Sequence, residues 1–195
     1  DDVRLHNTAL SHLIETSQKV YEQNSYHIIV GSFLDNRMKH TTYGGLNKRF
    51  CWHPFHTQIV TPKKTSYMSV LTLNMNAALI TKEALHRCGF LSDYFQHGAA
   101  DIEYGLKLRS CGGTVYLPSH HVGVCNRNSQ DGTSREKGIP LFTRYRRLLG
   151  IKEQPILQRY RLCKTYAPWH WPLIFIIPYF SFPFRHILIS LARRS

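Results

Sequence analysis

The stretch HGAADIEYGLKLRSCGGTVYLP (97–118) decides the architecture. Three small residues, Gly98-Ala99-Ala100, lead into Asp101. Ile102 and Leu106 then recur at helical spacing, and Glu103 stands four residues before Lys107. Gly112-Gly113 supplies a stop, and TVYLP (114–118) reads as a short strand closed by Pro118. The segment predicts a helix over 99–113 that hands directly to a strand. Downstream, HVGVC (121–125) reads as a second short strand. Upstream, SVLTLNMNAALI (69–80) reads as one or two extended pieces. Thr81 is placed to cap the short helix KEALHRCG, which Gly89 closes. Residues 90–100 read as a loop.

The front half has the same grammar. Leu10, Leu13, Ile14, Val20 and Tyr21 mark a helix over 7–23, and YHIIVGSFLD (26–35) reads as one buried strand. Residues 36–55, with Gly44-Gly45, predict a long loop or short hairpin. HTQIVTP (56–62) alternates like a strand up to Pro62. Helices and strands interleave throughout, so the class is α/β. No repeat of 20–50 residues is present.

The 195 residues are 43% apolar and 19% charged, which excludes a disordered chain. The five Cys form no CxxC pair, which argues against a zinc ribbon and for reduced thiols. The net charge of +13 is unevenly placed. Residues 1–125 carry 12 Lys and Arg against 9 Asp and Glu, whereas residues 126–195 carry 13 against 3. Three regions follow: 1–125, a basic and partly helical 126–165, and an apolar 166–195. From Trp171 to Ala192 the tail is long enough to cross a bilayer. It is interrupted by Pro172, Pro178, Pro183 and Arg185-His186, and it carries a belt of Trp169, Trp171, Tyr179, Phe180 and Phe182. An interfacial position suits that pattern better than a span. Packing of the tail on the domain is the alternative. With no initiator Met and no apolar leader in residues 1–20, the sequence reads as a chain that starts inside something larger.

Several residues are candidates for chemistry. Asp1-Asp2 is an acidic pair that suits a hard divalent cation or, equally, a helix start. Asp101, in a first helical turn behind small residues, is placed for a general base or a dipole partner. Cys125-Asn126-Arg127-Asn128 leaves a strand, where Arg127 and nearby amides could hold phosphate oxygens. The twelve His show no HExxH spacing, and His120-His121 point to opposite faces of a strand.

The order of these segments carries a family resemblance. An acidic pair (1–2) precedes YGGL (43–46), NMNAALITKEALHRCGFL (74–91), HGAADIEYGLKLRSCGGTVYLP (97–118), GVCNRNSQDGTS (123–134), IPLFTRYRRLL (139–149) and WPLIFIIPY (171–179). This resembles the family 2 glycosyltransferases of the Rossmann-like GT-A fold, nearest to a bacterial polysaccharide or rhamnosyltransferase-like group. Relatives often carry Glu-Asp where this chain has Ala100-Asp101, and Trp where it has Ser134. The family's N-terminal nucleotide-binding third has no counterpart here, so the resemblance is to the C-terminal two-thirds.

The resemblance implies a metal-dependent inverting transfer from a nucleotide-sugar donor to a glycan or lipid-linked acceptor. It implies Mg²⁺ or Mn²⁺ on Asp1 and Asp2, and Asp101 as the base. It also implies Asn76 on the acceptor side, and Cys125, Arg127 and Asn128 near the diphosphate. It places the protein in the cytoplasm, on the inner face of the plasma membrane. The rivals are an inactive membrane-associated fragment and a basic nucleic-acid module. No nucleic-acid motif supports the latter, and no nucleic-acid partner is expected.

Overall fold

A computed structural model describes residues 3–95 and 98–191. The chain divides into two compact units, Asp1–Asn128 and Ser129–Ser195. Among the described residues the architecture is mixed α/β, with three small sheets and six helices.

In the first unit, a four-stranded sheet runs β7 (Met68–Val70), β10 (Thr114–Leu117), β2 (His27–Val30), β9 (Ala78–Ile80). The central pair is parallel, with Val115 opposite Ile28, and both edge strands are antiparallel. HIIV is buried at every position because this sheet is covered on both faces. Ile28 and Val30 point to one side, with Val70, Leu73, Tyr104, Leu108 and Leu117. That side is roofed by α2 (Lys82–Cys88) and α3 (Gly98–Ser110). Ile29 points to the other side, where α1 (Ala9–Tyr21) contributes Ala9, Leu13 and Val20. Each fully buried Ile or Leu contributes roughly 1.5–3 kcal/mol by leaving water.

The other two sheets frame this core. One runs β1 (Arg4–Leu5), β11 (Gly123–Val124), β3 (Phe33–Leu34), β4 (Thr41–Tyr43). The other runs β6 (His53–Ile59), β5 (Gly45–Phe50), β8 (Thr72–Leu73).

The single strand expected over 26–35 is broken at Gly31-Ser32. The N–H of Gly31 donates to Ala77 O (2.9 Å) and that of Val122 to Ser32 O (2.8 Å). A side chain at Gly31 would collide with Val122. The chain thus leaves one sheet and enters the next as β3. The loop or short hairpin expected over 36–55 holds β4, β5 and the start of β6. Lys48 and Arg49 interrupt any apolar alternation there, and the pairing of β5 with β6 builds the ribbon instead. Residues 69–80 make three strands, not one or two, because Asn74 and Asn76 lie in a turn between pairing edges.

The Thr81–Gly89 helix is capped as its sequence predicts. Ala84 N–H donates to Thr81 Oγ (3.3 Å), and Gly89 takes φ +71°. Helix α3 differs from its expected amphipathic form. It is buried over most of its circumference, and Lys107 donates to Phe90 O (3.0 Å).

The second unit contains α4 (Leu141–Leu148), α5 (Ile156–Tyr166) and α6 (Trp171–Leu191). Helix α6 continues through Pro178, which has no N–H to offer Ile174 O. The buried Arg159 of α5 takes that role: its Nη2 donates to Ile174 O (2.6 Å), its Nε to Phe175 O (3.3 Å) and its Nη1 to Gln154 Oε1 (2.6 Å). Tyr179 closes the arrangement by donating to Gln154 O (3.0 Å). Helix α5 packs on α6, and residues 126–128 fall in the first unit. Among the described residues, no helix is long and apolar enough to cross a membrane. The side chains of Phe182, Arg185 and His186 lie outside what is described.

Candidate functional site

Residues 74–77 form a strap from β8 to β9 that is pinned at both ends. Asn74 N–H donates to Gly44 O (2.9 Å), and Ala77 O accepts from Gly31 N–H (2.9 Å). Between the pins the strap touches two distant parts of the chain. Met75 N–H donates to Asp101 Oδ2 (3.1 Å), and the Asn76 amide donates toward Cys125 Sγ (3.9 Å). The structure therefore brings together Asp101, Asn76 and Cys125, all picked out in the sequence.

Asp101 sits in the first turn of α3, half-buried. Its position is set by how closely the helix lies on β8. Thr72 Oγ donates to Ile102 O (2.8 Å), and a Cβ at Gly105 would meet Leu73 Cδ2 at 2.8 Å and Thr72 Cα at 2.9 Å. Burial pushes the Asp101 carboxyl above the usual aspartate range, and the bond from Met75 N–H opposes this in part. Among the described residues, Oδ1 has no hydrogen-bond donor. A half-buried carboxylate with one oxygen held and a raised proton affinity is suited to accepting a proton.

Cys125 is buried at the end of β11. Its carbonyl accepts from Thr42 Oγ (2.7 Å), its N–H donates to Leu34 O (2.9 Å), and its thiol points to Asn126 O (3.5 Å). The next residues emerge at the surface. Asn126 Oδ1 accepts from Asn36 N–H (2.9 Å), and Asn128 N–H donates to the Tyr43 hydroxyl (3.0 Å). Arg127 lines a hollow of about 380 Å³ with Asp35, His40 and Thr42. Asp35 accepts from Lys39 N–H (2.8 Å) and faces His40 Nδ1 (3.1 Å), contacts that hold its carboxyl below the usual range. Asp35, His40 and Thr42 escaped the sequence reading. The one available signal was an acidic residue closing the apolar run of 26–35.

Strand β1 pairs with β11, with Arg4 opposite Val124, and Val3 packs on the cluster that contains Cys125. Asp1, Asp2 and His97 lie outside the described residues. Among those described, no group of three or more His, Cys, Asp and Glu is arranged to hold a metal ion. His120 stacks on His12 (5.4 Å), whereas His121 meets Thr41 Oγ (3.0 Å), so the two neighbours serve different surroundings.

Comparison with protein-family models, curated proteins and solved structures finds no match to this chain.

Proposed function

We propose that this chain is the catalytic and acceptor-side part of a GT-A glycosyltransferase of family 2. It would transfer a sugar with inversion from a nucleotide-sugar donor to a glycan or lipid-linked acceptor in cell-surface polysaccharide synthesis. The single observation that carries the proposal is the strap that holds Asp101 and Cys125 from adjacent residues, Met75 and Asn76. Asp101 Oδ1 receives the proton of the attacking hydroxyl, a positioned transfer of the kind that contributes on the order of 10²–10⁴-fold. The Met75 N–H fixes the other oxygen and so sets the direction of the acceptor side. Arg127 faces the departing diphosphate, where charge-assisted hydrogen bonds stabilise developing charge. A Mg²⁺ or Mn²⁺ ion on Asp1 and Asp2 would neutralise further charge on the diphosphate when bound.

Helix α6 supports a peripheral place at the inner membrane face. It buries Ile174 and Tyr179 but turns Leu173, Ile176 and Phe180 outward, one stripe at helical spacing, with Trp169 just before it. The test is calorimetric titration of the full-length protein with a panel of nucleoside-diphosphate sugars and Mn²⁺, paired with transfer of labelled sugar to a membrane extract. Micromolar binding with transfer supports the proposal. Absence of both across the panel overturns it.

A further inference from the structure

The hairpin of β5 and β6 carries a feature that sugar transfer does not use. Its tip exposes Phe50 (44%) and Trp52 (50%), and three rings there lie nearly parallel. Phe50 and His56 are 5.0 Å apart at 12°, and Phe50 and Trp52 are 6.3 Å apart at 17°. The Arg49 guanidinium sits over Phe50 at 5.7 Å. Phe50 is thus already stacked by His56 and approached by the Arg49 guanidinium.

The sequence on either side of the tip carries charge of one sign. Between Asp35 and Glu83 the sequence carries seven Lys and Arg and no carboxylate side chain. Lys48 and Arg49 are exposed on the same ribbon as the aromatic rings. Exposed Trp and Phe beside Lys and Arg match a bilayer interface: rings settle at headgroup depth while cations pair with anionic lipid.

We propose that the β5–β6 tip is a docking surface for anionic membrane, separate from α6. The occupant is a bilayer bearing acidic headgroups. Phe50 and Trp52 enter the interface, and Lys48 and Arg49 supply the electrostatic part.

The full chain carrying Trp169→Phe and Trp171→Phe leaves Trp52 as the one tryptophan. Its emission is recorded with vesicles of phosphatidylcholine alone and with vesicles containing phosphatidylglycerol, plain and brominated. The proposal expects a blue shift, and quenching by brominated lipid, with the acidic vesicles. Lys48→Ser with Arg49→Ser lowers partitioning about fivefold per cation removed. An environment-sensitive dye on the exposed Cys51 reports the same transfer without any change at Phe50 or Trp52. Unchanged Trp52 and Cys51 signals at saturating acidic vesicles overturn the proposal. A response to single-stranded RNA or a soluble glycan, with none to vesicles, overturns it too.

Discussion

The backbone N–H of Met75 donates to Oδ2 of Asp101 at 3.1 Å, joining a turn to a helix across 26 residues of chain. Among the described residues the second carboxylate oxygen has no donor, and it is the oxygen to which the proposed function assigns the acceptor's proton. Asn can accept from the same N–H, and it places no charge in a half-buried site. Asp101→Asn is therefore expected to fold as well as the parent. Because burial raises the folded pKa of Asp101, its contribution to stability is full below the ordinary 3.8 and is lost as pH rises through the folded value. At neutral pH the Asn variant should melt no lower than the parent in calorimetry; a large drop in Tm would show that ionised Asp101 holds the fold.

Gly105 sets how near α3 can come to β8. A methyl group there meets Thr72 and Leu73, both of which are buried. Gly105→Ala should cost about 1–3 kcal/mol by overpacking. The helix should also move outward and carry Asp101 away from Met75. Denaturant unfolding gives the first effect. Faster hydrogen exchange at the Met75 amide gives the second, and a wild-type midpoint with unchanged exchange would contradict both.

Arg159 and Pro178 form a compensating pair. Removing the guanidinium with Arg159→Leu leaves Ile174 O without its donor, a loss of about 1–3 kcal/mol. Pro178→Ala restores a helical N–H that can reach that carbonyl. The cost of Arg159→Leu should therefore shrink in the Pro178→Ala background. Equal costs in both backgrounds, measured in a double-mutant cycle, would mean that the two residues are not coupled.

His27 is buried between Ser17 Oγ (2.7 Å from Nε2) and Asn24 O (2.7 Å from Nδ1). Burial lowers its pKa from the ordinary 6.5, while the Asn24 carbonyl and the charge of Glu83 pull the other way. A His with a depressed folded pKa contributes stability above its unfolded pKa, and that contribution is lost as pH falls through the folded value. Unfolding midpoints should fall below about pH 6.5, less steeply in His27→Gln. The same acid slope in both proteins would assign the effect elsewhere.

Elements with strong local signals were legible in the sequence. Thr81 and Gly89 bound α2, and Gly112 follows the end of α3, because caps and stops act within a few residues. The break at Gly31 was not legible, since it depends on Val122, ninety-one residues later. Of the ribbon of 41–59, the strand from His56 was legible and 36–55 read only as a loop or short hairpin, because the exposed Lys48 and Arg49 carry no apolar period. Within the site, Asp101 and Cys125 stood out by motif. Their common attachment to Met75 and Asn76 is tertiary and had no local signature. Asp35 and His40 pair locally, through the turn at 36–39.

The central claim is that Asp101 takes the proton from the acceptor hydroxyl, and the pH dependence of sugar transfer at saturating donor tests it most directly. The acid limb should be governed by one group titrating above the ordinary 3.8. Asp101→Asn should abolish that limb and lower the rate by about 10²–10⁴-fold with donor affinity retained. Transfer by Asp101→Asn at the parent's rate, with the acid limb intact, would contradict the account.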